Sequence, residues 1–125
     1  MDKFYNLKRN VTFWEGYDEN SFIGKWVDDG IWSDSEYWKL ELDLIKVKEK
    51  YPYPSNIPRE ITAGIFRIIE LLIIPNWEQF EIEASPWLSD EVTIYERYER
   101  FKVMIRYLFT GEELDSRIFD YVYEK

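Results

Sequence analysis

The residues that could do chemistry in this chain are nearly all carboxylates. Among 125 residues there are 25 Asp and Glu, 16 Lys and Arg, no Cys and no His. Without a thiol or an imidazole there is no Ser-His-Asp or Cys-His arrangement, no His or Cys metal ligand, and no base that titrates near neutrality. Proton transfer would have to fall to Asp, Glu, Lys or Tyr. Two carboxylates can hydrolyse a glycosidic bond, and Asp28 and Asp29 with Asp34 and Glu36 could offer oxygens to a hard cation. Neither pattern is specific, because 25 acids supply pairs everywhere. The spacing of a calcium loop, a Gly-rich phosphate loop, GxSxG and GK[ST] are all absent. The sequence therefore predicts no enzyme, no cofactor and no metal site, and points to binding.

The charge is segregated. The formal net charge is −9. Residues 15–36 hold seven acids (Glu15, Asp18, Glu19, Asp28, Asp29, Asp34, Glu36) against Lys25 alone. Residues 78–91 hold five acids and no base, and residues 112–120 hold four acids against Arg117. The remainder is net positive. The acids thus collect in the connections between elements. This balance argues against nucleic acid or an anionic membrane surface as ligand and favours a basic partner. The chain also carries six Trp, ten Tyr and eight Phe, more than a core of this size takes readily, and surface Tyr and Trp are the usual anchors of protein interfaces. If the acidic connections converge at one side, they form an acidic face studded with Trp14, Tyr17, Trp32, Trp77 and Trp87. The expected contact residues are Asp28, Asp29, Trp32, Asp34, Glu36, Trp77, Glu78, Glu81, Glu83 and Trp87.

The elements that must position these residues read as helices. IPREITAGIFRIIELLIIP, Ile57 to Pro75, is the most apolar run, and its polar residues Arg59, Glu60, Arg67 and Glu70 share one arc. It predicts a core helix over 57–74 with Pro58 at its first position and with other segments wrapped around it. Lone Gly64 within it predicts close approach by an aromatic ring. Asn20 or Ser21 can cap a short helix that carries Phe22, Ile23, Trp26 and Val27 and ends at Gly30. Asp28 and Asp29 in its last turn oppose the helix dipole, a local cost without a local gain. Ile31 and Trp32 read as an apolar link, and Ser33-Asp34-Ser35 as caps for a helix over Glu36–Tyr51. Tyr37, Leu40, Leu44, Val47 and Tyr51 form the inner stripe of that helix; Lys39, Asp43, Lys46 and Lys50 form its wet face. Pro52 and Pro54 end it. Ser89 caps a long helix over Asp90–Phe109 with Ile94, Tyr98, Phe101, Ile105 and Leu108 inward and Gly111 at its end. The tail allows one more short helix, residues 76–88 a helical turn or a strand, and the first 17 residues an irregular arm. The expectation is an all-α, compact single domain (1–125) of about five helices around the central apolar helix. MDKFYNLKRN has no apolar core of a signal peptide, which predicts a cytoplasmic protein.

One set of residues resembles a known family. Ser21-Phe22-Ile23-Gly24-Lys25, Asp28-Asp29-Gly30, Trp32, Tyr37-Trp38-Lys39-Leu40 and Ile57-Pro58-Arg59-Glu60-Ile61 together resemble the immunity protein 41 family of bacterial polymorphic-toxin systems, including those of contact-dependent inhibition. The resemblance implies a protein that blocks a cognate toxin encoded nearby by binding it as a monomer in a 1:1 complex. Such toxins are commonly nucleases, so a basic ribonuclease domain is the implied partner. The composition alone leaves open an acidic adaptor or nucleic-acid mimic with no toxin partner.

Overall fold

The computed structural model describes residues 4–73, 79–84 and 93–112. Within them are five helices, α1 (Tyr5–Arg9), α2 (Phe22–Asp29), α3 (Asp34–Lys50), α4 (Arg59–Leu72) and α5 (Ile94–Phe109), and two strands of three residues each, β1 (Ile31–Ser33) and β2 (Glu81–Glu83). The domain is predominantly helical, as expected from the stripes. The expected C-terminal helix, Ser89 as a cap, and the parts of 76–88 other than 79–84 lie outside the described residues.

Local chemistry sets most of the helix ends. Ser21 Oγ accepts from the Gly24 N–H at the start of α2, and Gly30 ends it at φ 67°, a left-handed conformation that suits glycine. Ser33 Oγ accepts from the Glu36 N–H and opens α3 two residues earlier than the sequence suggests. Thr93 and Glu96 form a reciprocal capping box, so α5 begins at Ile94 and not at Asp90. Its far end is held by Lys48, whose ammonium donates to the carbonyls of Tyr107 and Thr110. Thr110 is the C-cap, which leaves Gly111 at the expected position just past the end, but without a left-handed turn: Gly30 is the one described glycine at positive φ. Pro58 sits at the N-cap of α4, one residue before its expected place. The N-terminal arm is not irregular throughout: α1 buries Leu7, and Phe4 and Val11 on either side join the core.

The helix at the centre is α3, a correction to the expected role of α4. α1, α2, α5 and β1 all pack on α3, whereas α4 lies chiefly against α2. α4 buries Ile61, Gly64, Ile65, Ile68 and Leu72 on one face and leaves Phe66 and, just beyond its end, Ile73 exposed. The expected close approach at Gly64 is present: a Cβ there would lie 2.9 Å from the Trp14 ring.

What makes α3 central is partly polar. Asp34, Glu41 and Asp43 are all buried along it. Asp43, expected on the wet face, accepts the Leu7 N–H at 2.9 Å and so satisfies an orphan donor in the first turn of α1. Asp34 and Glu41 hold α5 through Arg97 and Arg100. Removing any one partner would strand a buried charge or amide, which costs far more than a surface contact is worth.

β1 and β2 form a parallel pair, with Ile31 beside Glu81, Trp32 beside Ile82 and Ser33 beside Glu83. β2 takes the strand alternative expected within 76–88, whereas β1, expected as an apolar link, and the pairing itself carry no sequence signal. Three-residue strands carry too few positions to show alternation, and the partners lie 50 residues apart.

Candidate functional site

The α2–β1 corner gathers acids from three stretches of chain. Asp28 and Asp29 are exposed in the last turn of α2 and, among the described residues, enter no ion pair. α2 has no basic residue in that turn, so nothing local offsets the unfavourable placement of both carboxylates against the helix dipole. The chain then turns at Gly30, whose carbonyl accepts the Glu81 N–H at 2.9 Å. That bond, continued by the strand pairing, sets Glu81 and Glu83 of a distant segment beside the end of α2. Both are exposed, while Ile82 between them packs on the core.

The loop before α2 brings the third group. Its backbone crosses α2 at Gly24, so closely that a Cβ there would fall 2.2 Å from the Glu19 carbonyl oxygen. Tyr17, half-buried, rests against the core with its phenol among carboxylates. Burial, and then the charges of Asp28, Glu19 and Asp18, push that phenol above its ordinary value of 10.0. Asp18 itself is held below the ordinary carboxylate value by the Asn20 N–H and by Arg9. Glu83 is lowered likewise, first by the Ser33 hydroxyl at 2.9 Å and then by Lys25 at 3.3 Å.

The ten residues singled out from the sequence therefore separate. Asp28, Asp29, Glu81 and Glu83 come together on one exposed corner. Trp32 does not: it is 1% exposed, edge-on to Phe22 at 4.7 Å and to Trp26 at 5.8 Å, and its ring lies 5.4 Å from that of Tyr37. Rings so arranged each add roughly 0.5–1.5 kcal/mol beyond the area they bury, so Trp32 belongs to the core. Asp34 is equally buried and is committed to Arg97. Glu36 is mostly covered and bound to Arg9 and Lys39, at 3.0 and 2.9 Å. These three corrections share a cause: a buried role for a Trp or a carboxylate depends on partners far away in sequence. Trp77, Glu78 and Trp87 lie outside the described residues. Tyr17, Asp18 and Glu19 were part of the acidic stretch but not of the expected contact set, and only the fold places them beside Asp28.

Chemically this corner offers exposed carboxylates, with Asp18 and Glu83 held in the charged form by their partners, around a half-buried phenol, a surface suited to cationic side chains. Among the described residues no three acidic groups are arranged to hold a metal ion, and no helix is long and apolar enough to cross a membrane.

The described residues thus form a compact, predominantly helical domain with an acidic corner where α2 meets β1. Its family is shown directly: residues 9–120 match the model of Immunity protein 41, and the chain belongs to that family of immunity proteins. No curated protein and no solved structure matches it.

Proposed function

We propose that the protein neutralises a cognate toxin domain by covering it with the acidic α2–β1 corner, and that the toxin is a basic nuclease, most simply a ribonuclease. Family membership supports the coarser part, toxin neutralisation in place of catalysis. The observation that supports the finer part is the exposed Asp28-Asp29 pair at the negative end of α2, joined by Glu81 and Glu83 and by the Tyr17 cluster. A cleft built to hold RNA phosphates is lined with Lys and Arg. An acidic protein can occupy it, with charge steering the encounter and partly buried aromatics slowing release. The complex is taken to be 1:1 and cytoplasmic.

The test is co-purification with the toxin domain encoded beside this chain, at low and moderate salt, together with survival of cells that express the toxin. Tight, salt-sensitive capture and rescue of growth are expected. No binding, or binding without protection, overturns the reading. A chain that displaced RNA from several unrelated basic proteins while protecting against none would be an acidic mimic instead.

A further inference from the structure

At the opposite end of α3 from the acidic corner, about 25 Å away along the helix axis, the surface opens into a cavity of ≈ 680 Å³. Tyr53, Ile57, Leu108 and Phe109 give it apolar and aromatic walls, with the polar Ser55 and Asn56 beside them. Tyr53 and Phe109 are exposed, 61% and 38%, so their rings are not consumed by the core. Arg59 is the one charged side chain among the described residues that line the cavity, in a chain of net charge −9. It is exposed, and among the described residues no ion pair or side-chain hydrogen bond engages it. The contrast with its neighbours is sharp. Arg97, Arg100, Arg9 and Arg67 are each matched with a carboxylate. Glu60, next along the chain, turns away toward a separate cleft beside Trp14. Thr62, one turn further into α4, adds a hydroxyl to the cavity on the same side as Arg59.

An apolar concavity with one unmatched guanidinium on its rim has the make-up of a carboxylate-recognition site: a few polar groups fix orientation while the walls take the hydrophobic body. We propose that this cavity binds a carboxylate borne on an aromatic stem, with the ring between Tyr53 and Phe109 and the carboxylate on Arg59. The guanidinium can meet a carboxylate with two parallel N–H donors, which a point charge cannot do. Such a group could come from a small aromatic acid or from the free C-terminal residue of a polypeptide. The site is separate from the acidic corner and does not depend on the toxin reading.

The test is NMR titration of the full-length protein with N-acetyl-L-phenylalanine, its uncharged amide, and an octapeptide ending in phenylalanine with a free carboxylate. Saturable shifts at Tyr53, Leu108 and Phe109 are expected for the acid, with a dissociation constant on the order of 1 mM for so small a ligand. The amide should bind about tenfold more weakly. Arg59→Gln, which breaks no ion pair or side-chain hydrogen bond among the described residues, should reduce binding of the acid by a similar factor, while Asp28→Lys leaves it unchanged. A peptide that binds at least tenfold more tightly than the small acid assigns the source to a polypeptide terminus; equal affinity assigns it to a small molecule. Absence of saturable shifts, equal binding of acid and amide, or full binding by Arg59→Gln overturns the proposal.

Discussion

The guanidinium of Arg97 lies against the carboxylate of Asp34 as a two-bonded pair, Nε to Oδ1 at 2.8 Å and Nη2 to Oδ2 at 2.7 Å, with both side chains almost wholly buried. One turn along α5, Arg100 repeats the arrangement on Glu41, which also accepts the Tyr37 hydroxyl. Two forked pairs a short distance apart on the same two helices fix the register of α5 on α3 as well as their separation. Truncating one partner strips the forked bonds from a charge that stays buried. Arg97→Met is therefore expected to cost about 3–5 kcal/mol in urea denaturation, a large part of the ~5–15 kcal/mol that stabilises a domain of this kind. The double variant Asp34→Leu/Arg97→Met should recover most of that loss, because no charge is then stranded. Equal stability of the single and double variants would show that packing, and not the charge, sets the cost.

Gly24 separates local preference from tertiary contact. Helix propensity alone says that Gly24→Ala stabilises α2 by about 1 kcal/mol. The Glu19 carbonyl, 2.2 Å from where the new methyl would sit, says the reverse. That neighbour is backbone, so it cannot rotate aside as the tip of a side chain can. The variant is expected to lose roughly 1–3 kcal/mol, the usual range for overpacking, and to disturb the loop that carries Tyr17 and Glu19. A thermal melt that rises on substitution would mean that the loop does not rest on α2.

Two carboxylates predict the direction of acid sensitivity. Glu83 and Asp18 are held below their ordinary values of 4.5 and 3.8 in the folded protein. Groups lowered by folding contribute stability that is present above the unfolded value and is lost as pH falls through the folded one. Both are partly exposed, with side chains 53% and 35% accessible, so solvent screens the effect and the contribution is small. Melting temperature should decline on acidification below about pH 4.5, and Glu83→Gln, which loses the Lys25 partner but cannot titrate, should flatten that decline. A Glu83→Gln curve parallel to that of the parent would assign the acid sensitivity elsewhere.

How much of this was legible beforehand depended on the range of the contact. Ser21, Gly30, Pro52 and the stripes of α3 and α5 act within a turn or two, and their helices follow from them. The apolarity of α4 was equally plain but misleading, since Phe66 and Ile73 are exposed. A run of apolar residues reports how much a segment could bury, not how many neighbours the fold supplies. Asp43 reads as solvated, Asp34 as a cap and contact residue, and Glu41 carries no signal at all, because their partners, the Leu7 amide, Arg97 and Arg100, lie 36 to 63 residues away. The candidate face was half legible for the same reason: the acidic stretches were visible, but only the pairing of β1 with β2 brings Glu81 and Glu83 to Asp28 and Asp29, and only burial removes Trp32 and Asp34 from it.

The final prediction sets binding against stability. Arg67 donates to the Thr12 hydroxyl at 2.8 Å and lies 3.6 Å from Glu70, tying the early loop to α4. It is a structural tie away from the acidic corner. Arg67→Ala should lower stability by about 0.5–1.5 kcal/mol, the worth of such a hydrogen bond, and leave toxin affinity unchanged once the protein is folded. The pair Asp28→Lys/Asp29→Lys should do the opposite. Neither carboxylate supports the fold, and replacing them removes two charges that oppose the α2 dipole, so the melting temperature should hold or rise slightly. Toxin affinity should fall by about tenfold or more, chiefly through a slower association rate, and the difference from the parent should shrink as salt screens the encounter. Stopped-flow association at two ionic strengths, beside urea denaturation of both variants, separates the two effects. Unchanged association in the charge-reversed pair would remove the α2–β1 corner from the interface, whatever the toxin proves to be.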